Sequence, residues 1–487
     1  MSILTAFAAV LAQAGDEQRD WAAALRIDAT AMHEAIATSH PGPVNPEDPG
    51  FAAHNDAQLA RALDRARRAN SFAHYFYAMQ EYASSFDDGH LSYGVWGATP
   101  DSDPRWPGFL TRYDANGHKR VFVSIPWSGV PLGARLQSCD GREADQVARD
   151  RVGSRFGRWT LAAQRQAFGA MTFLDTGNPY VAEVRRCRFQ HADRRIDVTL
   201  KWRASDEDVY GRYVFAAPRR AEVGQRRLAD GTHWFTLPSF NGNPDSPTGK
   251  QLRALLSYLD ENAGAVRAAP AIVLDLRGNG GGSSDWSHQI ASRLWGPDLI
   301  ASRPDAPMTI SWRASADNVA AIRALFGERS KGGNLPPEVV DWFTNTIAGL
   351  EKAVAAGDPL WIIKPEPRRA KERSRKRPIR RMRGPVYVLT DLNCMSACLD
   401  AVDLWTRLGA IPIGQETGAD TLYMETRQVR LPSGLGGFSL PMKVYSGRAR
   451  GKNAPVRPRH PFHGDLADTA ALEHWILTLP ERKSTVD

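Results

Sequence analysis

Hydrophobic and polar positions recur along this chain with three different rhythms. Over residues 16 to about 86 apolar and alanine positions follow helical spacing, most clearly in 19–37 and 57–82. A turn-rich loop from Pro41-Gly42-Pro43 to Pro49-Gly50 separates them. From residue 91 to about 217 the period shortens to that of strands, as in 120–125 and 196–200. A strand over 233–240, a helix from about 249 to 263, a strand over 271–276 and a helix over 285–294 then alternate, which predicts an α/β unit with a parallel sheet. The alternation breaks over 300–383, read as a helical and basic insertion. It resumes with a strand at 385–390, a helix at 397–408 and a strand at 410–414. The expected division is a helical region at 1–90, a β-rich domain at 91–225, and an α/β core at 226–487 carrying the insertion.

Composition narrows the function classes. A chain of 487 residues with 42% hydrophobic and 24% charged residues is an ordinary globular mixture, long enough for several domains. The formal charge of +8 is local, because residues 368–383 hold ten basic side chains and one acidic one. That run lacks the aromatic residues that would stack on bases, so it reads as a solvated excursion and no nucleic-acid partner is expected. The cysteines at 139, 187, 394 and 398 form no CxxC pair and no zinc spacing, so neither a metal nor a cofactor is expected. No apolar run is long enough to cross a bilayer, so no integral membrane segment is expected. Residues 1–15 are apolar and contain Ala12-Gln13-Ala14, similar to a signal-peptidase site, without the basic segment a secretory signal carries. A periplasmic or secreted location is expected, with the cytoplasm as the alternative.

Three sites carry candidate chemistry. The apolar run Ala271-Ile272-Val273-Leu274 passes through Asp275-Leu276-Arg277 into Gly278-Asn279-Gly280-Gly281-Gly282. A glycine cluster just past a buried strand allows close approach to the main chain and presents N–H groups to an anion. A phosphate, an acyl thioester oxygen or the oxyanion of a peptide under attack could use it. The run does not spell G-x-G-x-x-G, and no acidic residue ends a strand at the distance a dinucleotide fold needs. Ser396 falls where a strand gives way to a helix. That place suits an N-cap, and it also lies beside the N–H groups of a helix start, where developing negative charge is stabilised. A nucleophilic serine needs a base, and the turn Asp87-Asp88-Gly89-His90 offers a histidine. Cys394 and Cys398, either side of Ser396, read as small buried hydrophobes, with Cys394 as an alternative nucleophile.

Taken together, these sites resemble peptidase family S41, the carboxyl-terminal processing and tricorn-type serine proteases. The resemblance rests on Asp275-Leu276-Arg277-Gly278-Asn279-Gly280-Gly281-Gly282, on the serine after a strand, on Asp88-Gly89-His90, and on their order. It covers roughly residues 30–470 and is strongest over 231–297 and 384–425. It implies an α/β, crotonase-like (ClpP/crotonase-type) core, usually with a PDZ-like domain. The stretch ending Leu136-Gln137-Ser138-Cys139-Asp140-Gly141-Arg142 is similar to a PDZ hairpin, and a plain β-hairpin explains it as well.

One branch of the family uses a lysine base about two dozen residues after the serine. The corresponding turn here, Gly414-Gln415-Glu416-Thr417-Gly418-Ala419-Asp420-Thr421, has Asp420 in that place. The tricorn-type branch uses a histidine at the position matching His90. The resemblance therefore implies Ser396 as nucleophile, His90 as general base, and an oxyanion hole from the N–H groups of Gly280 or Gly281 with Ala397. The glutamate that completes the relay in that branch has no counterpart in Gly451-Lys452-Asn453-Ala454-Pro455; Asn453 through its amide oxygen, or Asp420, would orient the imidazole instead. Gly89 stands where that branch has a serine. The expected function is a serine endopeptidase acting on peptides or unfolded polypeptides, compatible with a homo-oligomer. The alternatives are a non-catalytic ligand-binding protein on the same fold and an esterase or acyl-transfer enzyme.

Overall fold

The computed structural model describes residues 19–97, 99–100, 104–114, 116–205, 209, 211, 213, 221–243, 245–333, 335–363 and 382–483. The segment 1–15 and most of the basic run, residues 368–381, lie outside them.

The apolar run before the glycine cluster forms the strand Ile272–Asp275, with all four residues buried. It shows no alternation because both of its faces are covered. Ile272 and Leu274 pack among Leu255, Ile290 and Trp405 on one face. Val273 packs with Trp234, Tyr387, Leu472 and Ile476 on the other. The strand lies within a six-stranded sheet ordered Gly224–Arg227, His233–Thr236, Ile272–Asp275, Val386–Thr390, Ile411–Gly414, His460–Pro461. All of its pairings are parallel except the first. Helices Pro247–Glu261, Asp285–Leu294 and Ala397–Arg407 bury apolar stripes on one face, and Thr469–Leu477 covers the other. The pairing of Asp275 with Leu389 sets the carboxyl ends of two neighbouring strands side by side. Loops leaving that edge are where open α/β sheets place their ligands. Here they are the glycine cluster and the segment holding Ser396.

A second, antiparallel sheet is built around the long strand Gly436–Ser446, which pairs with Tyr423–Arg430, Ser92–Val95 and Thr309–Arg313. Leu360–Ile363 joins it through Thr309–Arg313. This sheet joins what the periodicity separated. Two of its strands come from the expected insertion, so what projects beyond it is the helical hairpin Ala316–Ser330 and Pro337–Ala356. The N-terminal helices α1 (Trp21–Ser39), α2 (Phe51–Ala66) and α3 (Phe72–Ser84) share one apolar core with Tyr423, Phe438, Leu440 and Val444. The helices of residues 21–84 thus share their core with strands from the C-terminal half. The helix expected over 57–82 breaks between α2 and α3, where the Ser71 hydroxyl accepts from the N–H of His74 and caps α3.

The β-rich part contains an antiparallel sheet of Phe109–Tyr113, Lys119–Ser124, Arg135–Cys139, Arg186–His191 and Arg194–Thr199. The expected hairpin is present: Arg135–Cys139 turns back into Arg142–Glu143 through Asp140 and Gly141, at φ 48° and 78°. Cys139 and Cys187 oppose each other across neighbouring strands and form a disulfide. Among the described residues no helix is long and apolar enough to cross a membrane.

Candidate active site

Ser396 precedes the helix Ala397–Arg407 but does not cap it. Its side chain makes no capping bond, and its backbone sits at φ 56°, ψ −128°. Such a conformation costs a non-glycine residue roughly 1–3 kcal/mol and persists only where the surroundings impose it. Three neighbours do so. The Ser396 N–H donates to Asp420 Oδ1 at 3.0 Å. A disulfide joins Cys394 to Cys398 across the serine, which corrects the reading of two free apolar thiols and leaves no Cys394 thiolate to attack a substrate. Gly281, at φ 101°, presses against the turn, where an added Cβ would lie 2.8 Å from both Met395 O and Ser396 Cβ. The result is an exposed serine side chain on a buried frame, with Cys394, Ala397 and Cys398 all buried.

The glycine loop is held from below. The Asp275 carboxylate receives Trp234 Nε1 at 3.1 Å and Arg277 Nη2 at 2.6 Å, and Gly278 N–H donates to Asp391 Oδ2 at 2.9 Å. Burial pushes the Asp391 carboxyl up, while the donors from Asn393 and Gly278 pull it down. Asn279 is fully buried. It donates Nδ2 to Leu237 O at 2.8 Å and accepts the Gly281 N–H on Oδ1 at 2.9 Å. Gly281 therefore departs from its expected place in the oxyanion hole, because its N–H already has an acceptor. Among the described residues nothing accepts from the N–H groups of Gly280 or Ala397.

His90 comes from the N-terminal side, and its turn leads into Ser92–Val95, which pairs with the first residues of Gly436–Ser446. Its Nδ1 lies 3.4 Å from Thr421 Oγ1 and 3.8 Å from Asp88 Oδ1. The Thr421 hydroxyl donates to Tyr423 O at 3.0 Å, so toward the histidine it acts as acceptor. With two acceptors facing Nδ1, the proton belongs there and the lone pair is left on Nε2, the tautomer a general base requires. Asp420 and Thr421 are consecutive, and they touch the serine and the histidine respectively. One short loop thus spans the two candidate residues.

Asp88 is the acid the sequence reading overlooked, although it stands inside the quoted Asp88-Gly89-His90 motif. It is buried, and its Oδ1 accepts the His90 N–H at 2.8 Å. Burial pushes its carboxyl up, opposed by the charge and N–H of His90 and by Lys452. The two expected orienters do other things. Asn453 accepts from Arg158 Nε on its amide oxygen at 2.9 Å and donates Nδ2 to Asp87 O at 2.7 Å, so the amide oxygen is not directed at His90. Asp420 holds the serine backbone rather than the imidazole. Its Oδ2 is buried without a hydrogen-bond partner, 3.8 Å from Arg448 and 3.7 Å from Arg450. Among the described residues no cluster of His, Cys, Asp or Glu is arranged to hold a metal ion.

Comparison with known proteins bears on the family and the fold. The family model for Peptidase family S41 matches residues 234–452. The fold is similar to the crystal structure of mature CPAF, at a TM-score of 0.57 and 14% identity, over 91% of this chain and 93% of that one. The structure of mature CPAF complexed with lactacystin gives the same TM-score and identity, over 91% and 94%. The photosystem II D1 C-terminal processing protease matches at a TM-score of 0.33 and 12% identity, over 90% and 93%. No curated protein sequence matches the chain.

Proposed function

We propose that this chain, which matches the model for peptidase family S41 over residues 234–452, is a serine-type peptidase and an endopeptidase of unfolded polypeptides, with Ser396 as nucleophile and His90 as general base. The observation that carries this reading is the exposed, strained and uncapped Ser396, pressed against a glycine loop. His90 Nε2 takes the hydroxyl proton as Oγ attacks the peptide carbonyl. The imidazolium that forms is balanced by Thr421 Oγ1 at Nδ1 and by the Asp88 carboxylate behind it. The tetrahedral oxyanion accepts from the N–H groups of Gly280 and Ala397, and each such donor is worth roughly 3–4 kcal/mol in serine hydrolases. The imidazolium then protonates the leaving amine, and water, activated by the same nitrogen, releases the acyl-enzyme.

A fluorophosphonate probe tests this directly. Labelling is expected on Ser396, abolished in Ser396→Ala and nearly so in His90→Ala, because nucleophile and base act as a unit. Cleavage of an unstructured polypeptide should follow the same order. A Ser396→Ala protein that still folds and still cleaves would sink the assignment. A label without cleavage would turn the reading toward an esterase. The two disulfides support an oxidising location, periplasmic or secreted, which fractionation of the producing cell would check.

A further inference from the structure

Arg158 comes from the β-rich part of the chain and ends between the two loops that carry the candidate catalytic residues. It sits at φ 54°, a strained value for arginine. Its backbone N–H donates to Asp87 Oδ1 in the histidine turn. Its Nε donates to Asn453 Oδ1 at 2.9 Å, and Nη2 donates to Ala419 O, next to the Asp420 that holds Ser396. Nη1 lies over Gly89, where an added Cβ would stand 2.7 Å away. A serine at position 89, which the tricorn-type pattern would have, would push the guanidinium out of that position. The guanidinium is largely removed from water, which pushes its pKa down, while Asp88, Asp420 and Asp87 draw it back up. Its neighbours are docked too: the Ser84 hydroxyl donates to Arg155 O at 2.6 Å, and Arg155 Nε donates to Gln80 at 2.8 Å.

We propose that Arg158 is a positioning residue for the peptidase reaction, a cation from the β-rich domain that locks the His90 turn to the Ala419–Asp420 and Asn453 loops. Glycine at 89 and asparagine at 453 are then two halves of one adaptation. Gly89 makes room for the guanidinium, and Asn453 supplies a neutral acceptor for it. The cation fills the gap between base loop and nucleophile loop, and the carboxylate next to the imidazole is the buried Asp88. This inference rests on the Ser396–His90 reading.

The rate of fluorophosphonate labelling tests it, with melting temperature measured in parallel. Arg158→Ala is expected to slow labelling roughly 10- to 100-fold, the loss of one or two charge-assisted hydrogen bonds. In peptide turnover the loss should appear in kcat rather than KM. Guanidinium ion at millimolar concentration should restore part of the rate by occupying the emptied space, and Arg158→Lys should lie between Ala and wild type. Unchanged labelling in a folded Arg158→Ala protein would overturn the proposal. So would a loss of rate that tracks the melting temperature and is not restored by guanidinium, because the role would then be structural only. If the wild-type protein itself is not labelled, the Ser396–His90 reading fails and this one falls with it; if it is labelled and Arg158→Ala is labelled at the same rate, only this one fails.

Discussion

At position 88 a carboxyl group is both buried and adjacent to a histidine, and two opposite consequences follow. Ionised, it steadies an imidazolium; ionised, it also costs desolvation. Because burial raises its folded pKa above the unfolded value, the stability linked to this group is complete below the unfolded carboxylate range and is lost as pH rises through the folded pKa. Asp88→Asn should therefore melt no lower than wild type at pH 8, and the two melting curves should converge near pH 4. Labelling of Ser396 should meanwhile slow roughly 10- to 100-fold. A variant that keeps the full rate would remove Asp88 from the mechanism. At this scale the serine, the histidine and the glycine cluster were legible because their residue types are chemically specific. Which glycine N–H remains available was not legible, since it depends on where the Asn279 amide oxygen points.

At the scale of elements, the turn between Val386–Thr390 and Ala397–Arg407 is a strained elbow closed by a disulfide across a sequence separation of 4. Replacing Cys394 and Cys398 together by alanine relaxes one of the three restraints on Ser396. The labelling rate should fall on the order of tenfold, as about 1.4 kcal/mol of lost preorganisation would cause. Stability should fall by about 2 kcal/mol, the chain-entropy value for so short a loop. Breaking Cys139–Cys187, with a separation of 48, should cost about 4 kcal/mol of stability and leave the elbow untouched. Denaturant melts and labelling rates of the two double variants would separate these effects. In the β-rich sheet, burial pushes the Lys119 ammonium down to about 7, with Nζ donating to Gly169 O at 2.8 Å. A depressed folded pKa means that stability is complete above the unfolded lysine value and is lost as pH falls through about 7. The melting temperature should therefore drop between pH 9 and pH 6, and Lys119→Met should flatten that slope. Strands and helices were mostly legible from apolar period. The disulfides were not, because cysteine spacing in sequence does not say which sulfurs meet.

For the whole molecule, the candidate site rests on a sheet assembled from distant segments. Ser92 pairs with Ser439, which fixes the strand that follows the histidine turn, and the Asp420-Thr421 pair links that turn to the serine loop. Leu440 is fully buried beneath the N-terminal helices, so Leu440→Ala should cost about 2–5 kcal/mol. Calorimetry should show the helices and this sheet melting together. A separate early transition would mean that these helices fold as an independent unit. The amino-acid sequence by itself determined the parallel core, since an apolar run without alternation must be covered on both faces. It also determined the chemistry on offer, since serine, histidine and a glycine cluster each admit few uses. Only the tertiary structure decided which groups stand together: Asp88 behind His90, Asp420 on the Ser396 backbone, and Arg158 between their loops. Side-chain contacts between remote segments are set by sheet pairing and burial, and neither leaves a periodic trace along the chain.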